Sequence, residues 1–118
     1  MITPEITIKQ LVKDSYRVSE SKGWHSTGAT LPERLCLIHS EVSEALEDFR
    51  NGRVINEIYY ESPEAKCPKP CGIPIELADI VIRVADFCGI YLIDLQEAIR
   101  VKQAYNETRA RLHGGKRL

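Results

Sequence analysis

The stretch I-P-I-E-L-A-D-I-V-I-R-V-A-D-F-C, residues 73–88, decides how this chain folds. At about 100° per residue, Glu76, Asp79, Arg83 and Asp86 fall within an arc of roughly 80°, and the rest of the circumference is apolar. A helix so patterned is expected to be buried almost all round. It starts at Ile73 and Pro74 and runs through Cys88, with Gly89 as its stop. A carboxylate in those surroundings costs on the order of several kcal/mol unless it is paired, hydrogen-bonded or bound to a cation. Glu76 and Asp79, three residues apart, project side by side and repel each other. Arg83 is placed to neutralise Asp79 or Asp86, but one guanidinium does not satisfy three acids.

Upstream, Thr30 with Glu33 forms a T-x-x-E capping box, and Pro32 sits in the first turn. The helix they open is expected to reach Asn51, with Gly52 as its stop. Its core stripe reads Leu35, Ile38, Val42, Ala45, Leu46 and Phe49; Glu41 borders the stripe and Glu44 lies one step further round. Glu47 and Asp48 read as a solvated face, and His39 as a packing or hydrogen-bonding residue. The combination carries the inference: two facing helices, each with an E-x-x-(E/D) pair, gather Glu41, Glu44, Glu76 and Asp79. Multivalent cations hold such a concentration of negative charge together. All-oxygen ligation selects Mg²⁺, or Mn²⁺, over zinc. A di-iron site wants Glu-x-x-His motifs, which the sequence lacks.

The first helix is expected from Thr3, with Pro4 at its first position, to near Gly23, on a loose stripe of Ile8, Leu11, Val12, Tyr16 and Val18. A turn-rich link, G-W-H-S-T-G-A-T, carries the single Trp. Between Arg53 and Gly72 the helical period disappears, and V-I-N-E-I-Y-Y-E reads as a short strand or hairpin arm before a proline-rich loop. Cys67 and Cys71 frame C-P-K-P-C, a surface turn rather than half a zinc site, because no second pair stands at zinc-ribbon spacing. The last helix opens at Asp94 and continues to about Arg109. On it Lys102, Asn106 and Arg109 share an arc of roughly 60° that suits phosphate oxygens, or that is simply a solvated basic stripe.

Four helices in 118 residues make one all-α domain, residues 1–118, small enough that pairing with a second copy is a natural way to bury more surface. A composition 43% hydrophobic and 28% charged fits a globular protein, and no apolar run is long enough to cross a membrane. The start has neither an apolar signal core nor an arginine-rich leader, so the expectation is cytoplasmic. With a net charge of −1 there is no overall drive toward nucleic acid, although Arg109, Arg111, Lys116 and Arg117 gather near the C-terminus.

H-S-E-V-S-E-A-L-E, G-I-P-I-E-L-A-D-I-V-I-R and K-Q-A-Y-N-E-T-R, in that order, resemble the motifs of the MazG-like all-α nucleotide pyrophosphohydrolases, especially small single-domain members. The resemblance runs from about Leu31 to the C-terminus. It implies a four-helix MazG-like bundle completed by homo-oligomerisation, as a homodimer or a dimer of dimers. It implies that Glu41, Glu44, Glu76 and Asp79 ligate Mg²⁺ and that Lys102, Asn106 and Arg109 contact a nucleoside triphosphate. The expected reaction converts a (d)NTP to the monophosphate and pyrophosphate, in nucleotide pool cleaning, with Glu44 or Glu41 taking the proton of the attacking water and Trp24 and His25 as base-binding candidates. Ser40 stands where the family often has a leading Glu, and the segment between Glu44 and Glu76 is longer than usual. Two other readings are a non-enzymatic helical interaction module and a hydrolase of another pyrophosphate compound, such as a phosphoribosyl-nucleotide.

Overall fold

The computed structural model describes residues 5–109. They form four helices, with a short two-stranded sheet between the second and third. The N-terminal helix, α1 (Ile8–Ser21), starts where Thr7 caps it: the Thr7 hydroxyl accepts from the Gln10 amide at 3.1 Å. Thr3 and Pro4, the expected start, lie outside the described residues, as do Arg111, Lys116 and Arg117; Glu5–Thr7 are not helical. After α1, a single 3-10 turn (Trp24–Ser26) leads into α2 (Leu31–Arg50). The capping box at its head is formed as expected, with Glu33 Oε1 accepting from the Thr30 amide at 3.0 Å.

Next comes the insertion, in which β1 (Tyr59–Glu61) pairs antiparallel with β2 (Lys69–Cys71), Tyr59 opposite Cys71 and Glu61 opposite Lys69. Tyr59 docks this hairpin on α2: its hydroxyl donates to Asp48 Oδ1 at 3.3 Å, and the Arg53 guanidinium lies 3.5 Å over its ring. Asp48 is therefore half-buried rather than solvated, whereas Glu47 stays exposed beside Arg50. Cys71 also departs from expectation. Its place in the ladder buries it, while Cys67 in the loop is exposed. His39, expected to pack or hydrogen-bond, is exposed too.

Gly72 joins β2 to α3 (Ile73–Ile90) with φ at +121°, and a Cβ there would collide with the Glu57 carbonyl oxygen. Both the backbone conformation and the contact exclude a side chain. Gly72→Ala is expected to cost about 2 kcal/mol or more, read from chemical denaturation, because it displaces the hairpin or the first turn of α3.

α3 is the centre of the chain, packing against both α1 and α2. Gly89 does not stop it; the helix runs on to Ile90. That glycine serves a close approach instead, since a Cβ would lie 3.0 Å from the Tyr16 Cβ on α1. Ser15 and Ser19, both buried, are the small residues of α1 on this side. The expectation that α3 is buried all round fails. Ile73, Ala85 and Cys88 are covered, but Leu77 and Val81 are about half exposed; among the described residues α1 and α2 are the helices packed closely on α3, and they leave that side open. The α2 stripe read as core fares similarly. The face of α2 toward α3 carries Glu41, Ala45 and Asp48, and Val42, Leu46 and Phe49 are 53%, 57% and 65% exposed. Among the described residues no large side chain is fully buried.

The last helix, α4 (Leu95–Thr108), is capped by the Asp94 carboxylate, which accepts from the Glu97 amide at 3.0 Å. It packs on α1, where the Lys9 amide donates to Gln96 Oε1 at 3.2 Å. Among the described residues no helix is long and apolar enough to cross a membrane.

Candidate metal centre

Helical periodicity puts Glu41 and Glu44 one turn apart on α2, and Gly72 delivers Glu76 in the first turn of α3. One carboxylate oxygen from each of Glu41, Glu44 and Glu76 lies within 4.8 Å of the others. Glu41 is buried, Glu76 half-buried and Glu44 exposed. The Glu41 Oε1 atom accepts from Arg83 Nε at 2.6 Å, while Oε2 is buried with no hydrogen-bond partner. An unsatisfied carboxylate oxygen in that setting is costly, and a cation relieves it.

No family model matches this chain, and no curated protein does.

The electrostatics point the same way as the geometry. Burial pushes the Glu76 carboxyl up to about 7, with a hydrogen bond and the charge of Glu44 adding to it and Asp79 and Glu41 contributing less. Asp79 is raised as well, by burial first and then by Glu41, with Arg83 and Lys69 offsetting part of the effect. Asp79 stands outside the three-oxygen cluster but shares a cavity wall with Glu41. Arg83 bonds Glu41 across the helix interface rather than Asp79 or Asp86 on its own helix.

A pH dependence follows. Between the ordinary 4.5 and the folded value of about 7, the folded chain holds a proton at Glu76 that the unfolded chain has lost. Metal-free protein is therefore expected to lose stability as pH rises through that window. A saturating divalent cation, which favours the ionised carboxylates, opposes the trend. Melting temperatures in chelator and in excess Mg²⁺, at about pH 5.5 and pH 8, check both signs.

Asp86, the remaining acid of α3, belongs to a separate network. Its Oδ2 accepts from Ser19 Oγ at 2.8 Å and its Oδ1 lies 2.8 Å from His25 Nε2. His25 Nδ1 meets Glu20, and the ring lies against Tyr16 with centroids 4.6 Å apart. Burial opposes protonation of His25, but Asp86 and Glu20 outweigh it and raise the pKa. Both ring nitrogens are thus committed within the chain, where they pin the link to α1 and α3. Trp24 is 58% exposed, so it is no core anchor, and it forms part of the cavity rim.

That cavity, about 640 Å³, lies over α3 between α1 and α2. Its polar lining includes Arg34, Glu41, Asp79, Arg83 and Asp86. Lys102, Asn106 and Arg109 do not line it; all three are exposed, Lys102 and Asn106 on α4 and Arg109 at its C-terminal cap, and Lys102 and Arg109 approach the Tyr105 ring at 5.0 and 5.8 Å. Sequence reading missed Arg34. Its signal was spacing, for it precedes Glu41 by seven residues, two helical turns along one face.

Proposed function

We propose that this chain is a Mg²⁺-dependent nucleotide pyrophosphohydrolase of the MazG-like type, with Mn²⁺ as a substitute ion, converting a (d)NTP to the monophosphate and pyrophosphate. The observation that carries the reading is the three-carboxylate cluster of Glu41, Glu44 and Glu76, with its buried and unpartnered Glu41 oxygen. The donors fit the ion, since all are carboxylate oxygens and a hard divalent cation prefers them. Glu41, Glu44 and Glu76 would hold it, with Asp79 one turn along α3 as a further ligand. When bound, it supplies neutralisation of phosphate charge and a more acidic water for attack on the α-phosphorus.

The chain's own residues do the rest. Arg83 fixes the Glu41 carboxylate by its 2.6 Å bond. Glu44, the exposed member of the triad, is open to solvent and is assigned the proton of the attacking water. Lys102, Asn106 and Arg109 point no donor into the cavity of their own chain, so in this reading they serve the phosphates at the site of a second copy. The exposed Val42, Leu46 and Phe49 stripe supports that pairing, as a homodimer or a dimer of dimers.

Pyrophosphate release from a panel of (d)NTPs and phosphoribosyl-nucleotides in Mg²⁺ tests the reading. Wild type is expected to turn over at least one, and Asp79→Ala to lose most of that activity. A folded wild type silent on every compound would overturn it.

A further inference from the structure

The cavity beside the acids holds one arginine, Arg34, that forms no ion pair among the described residues, although its charge helps the Thr30 hydrogen bonds hold the neighbouring Glu33 ionised. Arg34 lies in the first turn of α2, half-buried, with its Nε fully enclosed and lacking any hydrogen-bond partner. The carboxylates around Arg34 have other partners, apart from Asp79, which lines the same cavity with no hydrogen bond or ion pair among the described residues. Glu33, next in sequence, accepts from the Thr30 amide and hydroxyl through Oε1. Glu41 receives Arg83, Asp86 receives Ser19 and His25, and Asp14 takes Gln10 and Arg17. Among the described residues no carboxylate forms an ion pair with Arg34.

Burying part of a guanidinium and orphaning its Nε is unfavourable, and the remaining guanidinium donors, which make no ion pair, are the part that an anion in the cavity would meet. Placement adds to this. Arg34 and Glu41 lie on one face of α2 about 10 Å apart along the axis, and Arg83, which bonds Glu41, shares the cavity wall with both. The three line one cavity, of a volume that suits a small-molecule ligand. A chain of phosphates is a polyanion that could touch the acid-held cation at one end and a planar, five-donor guanidinium further along.

We propose that Arg34, supported by Arg83, is the anion subsite of this cavity and takes the oxygens of the substrate's terminal phosphates, the part that leaves as pyrophosphate. This rests on reading the acid cluster as a site of triphosphate hydrolysis, but it assigns the leaving group to α2 of the same chain, where no residue was expected to bind it.

Calorimetry with inorganic pyrophosphate and Mg²⁺ reads the subsite without turnover. Wild type is expected to bind. Arg34→Met should weaken binding at least about tenfold, and Arg34→Lys, which keeps the charge but not the planar fork, should fall between them. Melting curves of both variants accompany the titrations, and if Arg34→Met fails to fold, Arg34→Gln takes its place. Competition against nucleotide hydrolysis adds a readout that a structural role would not move: Arg34→Met should raise the inhibition constant of pyrophosphate and leave that of the nucleoside monophosphate unchanged. Equal pyrophosphate affinity in wild type and folded variant, or no binding by wild type, overturns the subsite. A wild type that binds pyrophosphate through Arg34 but hydrolyses no nucleotide overturns the hydrolase reading alone.

Discussion

Glu76→Ala is expected to lower pyrophosphate release by on the order of a hundredfold or more, and at the same time to raise the melting temperature of the metal-free protein. The two effects share a cause. Without a cation, Glu76 is a half-buried carboxyl held close to Glu44, and its pKa of about 7 measures how poorly the fold accommodates its charge. Removing it relieves desolvation and repulsion together, so a chelator-treated sample should melt several degrees higher at about pH 8, where the wild-type carboxyl is ionised. At about pH 5.5 the gain should shrink, because the wild type is then protonated. In excess Mg²⁺ the order should reverse, since the wild type gains the binding energy of the ion and the variant gains less. Glu41→Ala separates this from a general effect of deleting acids. That change breaks the 2.6 Å ion pair with Arg83 and empties a buried position between α2 and α3, and is expected to destabilise the protein with or without metal. A Glu76→Ala protein no more stable than wild type in chelator, yet fully active, would show that the acids form an ordinary structural network.

The order of elements was legible because its signals are local. The Thr30 and Glu33 box, the Asp94 cap and the loss of helical period after Arg53 each act within a few residues, and α2, α4 and the non-helical insertion form where those signals put them, although the strand expected over residues 54–61 is confined to Tyr59–Glu61. The acid cluster was legible for a related reason. A carboxylate pair on an otherwise apolar helix needs a counter-charge whatever the tertiary arrangement, and the spacing on α2 matched it. What failed depended on which helices meet. Arg83 was read against acids of its own helix, but α2 presents Glu41 to it at shorter range. Asp86 reads from the sequence as an acid of the α3 polar arc within reach of Arg83, but Ser19 and His25 from elsewhere in the chain claim it. Gly89 looked like a stop because glycine often is one, and only the proximity of Tyr16 shows why it sits inside a helix. The α2 stripe was correctly read as apolar and wrongly read as covered. Periodicity reports that a face must be buried, not what buries it.

That uncovered face carries the second large expected effect. Leu46→Glu combined with Phe49→Glu should convert the proposed oligomer to a monomer of 13.4 kDa, measured by light scattering on a sizing column. The two side chains are 57% and 65% exposed on α2, one turn apart, whereas Glu41 and Ala45 on the same helix are buried. A substitution there should leave the fold of the single chain nearly unchanged. In a two-fold interface every change is made twice, so four buried apolar side chains become four buried charges. Each burial is worth roughly 1.5–3 kcal/mol, so association should weaken by at least about a thousandfold. The activity of the double variant carries further information. If Lys102, Asn106 and Arg109 reach the site of a second copy, hydrolysis should fall with the loss of the oligomer even though Glu41, Glu44 and Glu76 remain together in each chain. A monomeric variant with undiminished turnover would assign those three residues to a solvated stripe and leave phosphate binding to Arg34 and Arg83. A wild type that is itself monomeric at micromolar concentration would remove the interface altogether, and the exposed stripe would then need a different partner.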